Sequence, residues 1–313
     1  MERIFITGVT GFIGHNLVQH FNNQQNFQLF GHSRDSEKAR VQLKGLPVEL
    51  IETYSAKVFD ELRIDTIIHL AGIAHDLSNQ YKPDDYYDVN FENTKVIFDE
   101  FIKSKAKKFI FLSSIKAAVD ISSSVVDETV EPIPVTDYGK SKRKAEEYIQ
   151  SIQLSNNKHA YIFRPCMIHG SGNKGNLNLL YRFAKTGLPY PFGAFNNQRS
   201  FLSMNNLNFA FESFLTKDIP SGIYHLADEG FLSTTELYKL ISLELGKKPK
   251  VWLVPSGLVQ FFFSLIRKRT TLNKLTEDMM VSNKKLLQYI GQPLPVAMRD
   301  GLKKTIRSFL HGA

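Results

Sequence analysis

The sequence predicts an α/β protein: a doubly wound parallel sheet carrying a smaller mixed substrate lobe towards the C-terminus. Three observations support this. Short apolar runs alternate with helix-period stretches over the first two thirds of the chain, the pattern of a parallel sheet covered by helices. A glycine-rich turn joins the first apolar run to the first helix. After Pro165 the texture changes, because 166–200 is rich in Gly, Asn and Pro and helical patterns dominate from 229 onward.

Taken in order, the strands are expected at 3–7, 27–31, 66–70, 108–112 and 160–163, with a weaker candidate at 49–52. Helices are expected at 13–21, 85–104 and 138–151, where apolar residues recur at helical spacing. Two strand-like pieces return at 201–203 and 222–226. The spacing thus predicts a nucleotide-binding domain over 1–165, with 200–228 returning to it. The substrate lobe is expected to comprise 166–199 and 229–313.

With 313 residues, 42% hydrophobic and 22% charged, the chain is long enough for one large domain or two modest ones. Cys166 is the sole cysteine, which excludes an intramolecular disulfide and a cysteine-based zinc site. No two of the nine histidines stand four apart, so no metal site is expected. The net charge of +8 favours anionic partners, yet the basic residues are scattered apart from 103–108, 140–144 and 267–269. Nucleic acid, which wants a concentrated basic face, is therefore not expected as a partner. Met1-Glu2-Arg3 runs straight into Ile4-Phe5-Ile6 without a signal peptide. The longest weakly charged apolar stretch, 251–266, is broken by Pro255 and Gly257 and falls short of the about 20 residues a spanning helix needs. A cytoplasmic protein is the expectation. Two readings of 251–266 stay open: a helix buried beside the substrate lobe, or Phe261-Phe262-Phe263 and the following Arg267-Lys268-Arg269 resting peripherally on an anionic membrane.

The first strand ends in Thr7-Gly8-Val9-Thr10-Gly11-Phe12-Ile13-Gly14. Gly8, Gly11 and Gly14 permit a tight turn, close approach to a pyrophosphate and close helix–strand packing. Phe12 and Ile13 open a helix whose free N–H groups and positive dipole end face the phosphates. This is a Rossmann-type dinucleotide site. Where NAD enzymes commonly place a carboxylate, at the end of the second strand, this chain has Gly31, followed by Ser33 and Arg34. A hydroxyl and a guanidinium suit a 2′-phosphate, so NADP(H) is favoured, with NAD(H) the alternative.

The strand at 108–112 runs into Ser113 and Ser114, and Tyr138 stands four residues before Lys142 at a helix start. Tyr138 and Lys142 therefore share a helix face. An ammonium beside a phenol would lower its pKa from about 10 and make it a proton donor or acceptor near neutrality. A strand-end serine could orient a carbonyl and stabilise charge developing on its oxygen.

This set resembles the extended branch of the short-chain dehydrogenase/reductase superfamily, the NAD-dependent epimerases and dehydratases of nucleotide sugars. The resemblance implies catalysis by Ser114, Tyr138 and Lys142. It also implies cofactor contacts from Leu70, Ala71 and Gly72, in His69-Leu70-Ala71-Gly72, and support from Asn90. Arg164-Pro165 resembles a further family marker, while Glu52 replaces an aspartate the family often places near the adenine. Ser113-Ser114-Ile115-Lys116 is most similar to bacterial reductases of UDP-4-keto-6-deoxy-N-acetylhexosamines, which serve surface-polysaccharide sugar biosynthesis. Gly170-Ser171-Gly172, Gly175-Asn176, Gly187-Leu188-Pro189 and Gln198-Arg199-Ser200 agree with that subfamily. The resemblance further implies a UDP-sugar substrate, with Lys116, Asn176, Arg199 and Lys274 as its contacts, and a homodimer; His75 is either a further substrate contact or a histidine satisfied within the fold. The competing readings are a UDP-N-acetylhexosamine 4-epimerase with retained NAD, and a catalytically silent nucleotide-sensing protein on the same fold.

Overall fold

The computed structural model describes residues 1–22, 24–73, 81–173, 175–265 and 269–310. The elements run β1(Glu2–Thr7), α1(Phe12–Phe21), β2(Phe27–His32), α2(Ser36–Gln42), β3(Val48–Leu50), α3(Ala56–Glu61), β4(Thr66–His69), α4(Pro83–Tyr87), α5(Asn93–Lys103) and β5(Lys108–Leu112). Next come β6(Ser122–Val126), α6(Asp137–Ser151), β7(His159–Pro165), β8(Met167–His169), α7(Asn176–Thr186), β9(Phe201–Ser203), α8(Met204–Thr216) and β10(Gly222–Leu226). The remainder is α9(Thr234–Glu244), α10(Ser256–Leu265), α11(Arg269–Thr276), β11(Met279–Val281), α12(Lys284–Ile290) and α13(Met298–Leu310).

Seven strands form one parallel sheet in the order β10-β7-β5-β4-β1-β2-β3. The order reverses between β1 and β4, and the two strand ends are level, since Thr7 pairs with both His32 and His69. A crevice opens outside the carboxyl ends of the strands at such a switch point, and it is where this fold binds ligands.

Alternation along the strands divides the core. Ile4, Ile6, Leu29, Ile68, Ile110 and Phe163 face α1 and α8, meeting Leu17, Phe21, Leu207, Phe211 and Phe214. Phe5, Phe30, Ile67, Phe109 and Phe111 face the other way onto Phe98 and Phe101 of α5 and Ala145 and Ile149 of α6. Each such side chain contributes about 1.5–3 kcal/mol when fully buried, so this aromatic layer fixes α6 on the sheet. A third cluster joins α7, α9 and α13 through Leu177, Tyr181, Leu237, Tyr238 and Leu302.

Several expectations need correction. β2 continues to His32, so Gly31 lies inside the strand, paired with Ile6 and Leu50. The helix expected over 85–104 is broken by a π-helical turn at Asp88–Glu92. The stretch 166–200 contains β8 and α7, and the piece expected to return at 201–203, β9, pairs with β8 outside the main sheet, while β10 lies at its edge. The buried-helix reading of 251–266 also fails. Val251 and Leu253 form isolated bridges with Tyr190 and Phe192, and α10 leaves Leu258, Phe261, Phe262 and Leu265 exposed. Among the described residues no helix is long and apolar enough to cross a membrane.

Candidate active site

The glycine turn is held in a shape that suits a bound dinucleotide. Gly8 has φ +69° and packs so closely on the segment that follows β4 that a Cβ there would lie 2.8 Å from the Ala71 nitrogen. Only glycine meets both demands. A Cβ at Gly14 would collide with the Gly8 carbonyl, so α1 leaves the turn at close range. Gly11 caps α1 without a side-chain hydrogen bond, which leaves the first N–H groups of the helix to an anion. The Phe12 ring reaches the turn at Gly170, where a Cβ would lie 3.4 Å from its Cζ. The residues present thus fit a nicotinamide dinucleotide's pyrophosphate.

At the adenosine end the position beside the turn is Ser33, not Gly31. The Gly8 N–H donates to the His32 carbonyl at 3.1 Å, and the Ser33 and Thr10 hydroxyls lie 3.3 Å apart. Val9 and Val48 crowd Gly31 from within the core. Arg34 follows, exposed.

Across the switch point, β5 leads into Ser113 and Ser114, of which Ser114 faces the site. Ser114 caps a 3₁₀ turn, Ile115–Ala117, accepting from the Lys116 N–H at 3.2 Å. Its hydroxyl lies close enough to Tyr138, in the first turn of α6, to lower the pKa of the phenol. A Cβ at Gly139 would collide with the Lys116 carbonyl, so this glycine lets α6 approach the serine turn. One turn on, Lys142 is buried, donates to the Leu112 carbonyl at 2.9 Å and lies 4.7 Å from the Phe111 ring centroid. Its ammonium and the Asn90 amide oxygen both reach the backbone of Gly72. Asn90, in the π-helical turn, accepts from the Ile73 N–H at 2.8 Å and donates to the Ser141 hydroxyl at 3.1 Å. The Tyr86 ring stands edge-on to Tyr138 at 6.4 Å.

Tyr138 departs from the lowered pKa that its spacing to Lys142 predicts. Burial pushes the phenol up, the Ser114 hydroxyl pulls it down, and the Glu146 carboxylate adds to the rise. Lys142 carries the neutral-range titration instead, because burial holds its ammonium down at about 8 against a partial restoring pull from Glu146. A phenol protonated at neutrality can give a proton, and a buried ammonium stabilises the anion left behind. Any reductive turnover should therefore fall as pH rises through about 8, when Lys142 loses its charge while Tyr138 keeps its proton. The pH dependence of kcat/KM checks this; a profile flat to pH 10 would contradict it.

A chain of hydrogen bonds fixes the crevice floor. The Ala71 N–H donates to the Thr7 hydroxyl at 3.2 Å, and Thr7 meets His69 Nδ1 at 2.7 Å. His69 Nε2 lies 3.0 Å from the Thr94 hydroxyl, which donates to the Asn90 carbonyl at 2.8 Å. Since Thr94 spends its proton on Asn90, His69 donates from Nε2 and accepts at Nδ1. Burial and the Lys142 charge push its pKa down to about 3, so His69 stays neutral and serves as a brace.

On the substrate side, Lys116 Nζ pairs with Asp120 at 3.1 Å. Arg199 is half-buried; its Nη1 donates to the Glu277 carbonyl at 3.1 Å, and its backbone bridges Leu232 and Met279. Asn176 opens α7 and Lys274 lies in α11, but their side chains, like all of His75, fall outside the described residues.

Residues 4–227 match the NAD dependent epimerase/dehydratase family. The chain belongs to this family. It is 28% identical over 317 residues to a UDP-glucose 4-epimerase of Vibrio cholerae, covering 99% of this chain and 96% of the relative. It is 29% identical over 178 residues to a UDP-2-acetamido-2,6-beta-L-arabino-hexul-4-ose reductase of Pseudomonas aeruginosa, covering 56% of this chain and 38% of that one. The fold matches Bordetella bronchiseptica WbmG in complex with NAD and UDP, with TM-score 0.77 at 16% identity over 99% of this chain and 94% of that one. Family membership makes the chain an enzyme of the nucleotide-sugar epimerase, dehydratase and reductase group.

Sequence reasoning missed the buried cluster behind the site. Ser113 turns away from the crevice and donates to Glu146 at 2.5 Å. Glu146 in turn takes both arms of Arg164, at 2.9 and 2.6 Å. A signal was available, since Glu146 follows Lys142 by four residues and so falls on the face of α6 that Ala145 and Ile149 bury. A carboxylate there demands a cation, and Arg164 stands in an otherwise apolar strand.

Proposed function

We propose that this chain reduces the C4 ketone of a UDP-4-keto-6-deoxy-N-acetylhexosamine with NADPH, making a sugar for a bacterial surface polysaccharide. The observation that carries the reading is the placing of Ser114 and Tyr138 together at the switch point, with the buried Lys142 one helical turn on from Tyr138. A reduced nicotinamide bound on the glycine turn would supply the hydride. The Ser114 hydroxyl holds the ketone oxygen and stabilises charge growing on it. Tyr138 gives its phenolic proton to that oxygen as the C–O π electrons collapse onto it, and water later restores the phenol. Lys142 offsets the phenolate charge and offers its remaining N–H groups to the ribose. Asn176, Arg199 and Lys274 are assigned to the diphosphate, with Lys116 and His75 on the sugar side. The similarity to the Pseudomonas reductase supports the substrate class, and the complex of WbmG with NAD and UDP supports a UDP-linked substrate.

NADPH is assigned from Ser33 and Arg34 beside the turn, with the neighbouring Asp35 engaged on the Lys38 N–H as the cap of α2. Charge-assisted hydrogen bonds contribute about 1.5–3 kcal/mol each, so NADPH should bind roughly tenfold or more tightly than NADH. Arg34→Ala should narrow the gap. Equal affinities by titration calorimetry, or a preference for NADH, would overturn the cofactor assignment.

The full-length similarity to the Vibrio epimerase favours a second reading, 4-epimerisation with a retained NAD. Two incubations separate them. The proposed reaction consumes NADPH with the 4-keto sugar and forms no epimer from UDP-glucose or UDP-N-acetylglucosamine alone. Epimer formed without added cofactor would establish the second reading.

A further inference from the structure

Helix α10 turns its apolar stripe to solvent. Leu258, Phe261, Phe262 and Leu265 follow the i, i+3, i+4, i+7 spacing of a single helix face, and they are 62%, 70%, 57% and 71% exposed. The opposite side seats the helix, since Val259 is buried and the Phe263 ring lies 5.8 Å from Phe192. Leu253 bridges the same Phe192, which brings the exposed Trp252 and Leu253 to the foot of the helix. The display is therefore anchored. Large contiguous apolar patches of this kind mark interaction surfaces rather than ordinary solvent-facing residues.

Charge selects the occupant. Between Leu245 and Thr276 the sequence holds seven Lys and Arg and no Asp or Glu. Lys247, Lys248 and Lys250 are exposed just ahead of Trp252, and Arg267, Lys268 and Arg269 follow α10 in sequence. Two copies meeting through this face would bring like charges together, which costs association. An anionic lipid surface is complementary, attracting each basic residue by about 1 kcal/mol near the headgroups. Tryptophan and long basic side chains also favour such a boundary.

We propose that the face formed by Trp252, Leu253, Leu258, Phe261, Phe262 and Leu265 is an interfacial anchor that rests the protein on an anionic bilayer. The test uses the full chain with phosphatidylcholine vesicles, with and without about a quarter phosphatidylglycerol. Trp252 is the sole tryptophan, so its emission reports insertion directly. Co-sedimentation with the anionic vesicles and a blue shift of Trp252 emission are expected, both weakened by high salt. Phe261→Ser/Phe262→Ser should lower the bound fraction by roughly tenfold or more, while turnover on a soluble UDP-sugar stays at the wild-type value. The proposal is overturned if the wild type stays in the supernatant without a shift, or if the variant binds equally well. It is also overturned if the wild type is a dimer that the variant dissociates and neither protein binds vesicles.

Discussion

Tyr138→Phe should lower turnover by about 10²–10⁴-fold, the usual worth of general acid catalysis, and leave cofactor affinity near wild type. The substitution keeps the ring and its edge-on contact with Tyr86, and it removes the phenolic proton beside Ser114. Burial raises the Tyr138 pKa, so the phenol is present in its acid form throughout the neutral range, which suits a donor in the reductive direction. Lys142→Ala should behave differently, losing rate and cofactor affinity together, because that ammonium lies near Gly72 on the crevice floor, one helical turn on from Tyr138. Steady-state kinetics and cofactor titration on both variants separate these outcomes. Near-normal turnover by Tyr138→Phe would move the acid to another residue.

Arg164→Met should cost about 3–5 kcal/mol of stability, because it leaves the Glu146 carboxylate dry and without its two-armed partner. Both residues are almost wholly inaccessible. The double variant Arg164→Met/Glu146→Leu should recover most of that loss, since a buried ion pair replaced on both sides by apolar groups is often nearly neutral. Urea midpoints on the two variants provide the check, and equal destabilisation by single and double variants would contradict it. The double variant has a second readout. Glu146 raises the Lys142 pKa, so its removal should move the alkaline fall in kcat/KM to lower pH, an effect that a purely structural pair would not have.

The sheet was legible because parallel strands buried on both faces read as continuous apolar runs, as in Phe109-Ile110-Phe111-Leu112. The glycine turn and the pairing of Tyr138 with Lys142 were legible because both are local, set by spacing within one turn or helix. What the sequence hid depends on non-local contacts. The strand-end position passed from Gly31 to Ser33 because β2 runs on to His32 to pair with Thr7. The π-helical turn that places Asn90 carries no composition signal. The direction of the Tyr138 shift followed from desolvation and from Lys142 turning to the Leu112 carbonyl, neither of which spacing encodes. The apolar run at 251–266 looked like core because periodicity alone does not say which face of a helix meets the protein.

Deuterium transfer separates reduction at the sugar C4 from any other fate of the substrate. Purified protein is given UDP-4-keto-6-deoxy-N-acetylhexosamine and NADPH deuterated at the transferable C4 position of the nicotinamide, and the product is read by NMR. One deuterium at the sugar C4 is expected for each NADPH oxidised, with that signal lost in Tyr138→Phe. Product formed without deuterium at C4, or NADPH left unconsumed while the sugar changes, would contradict it.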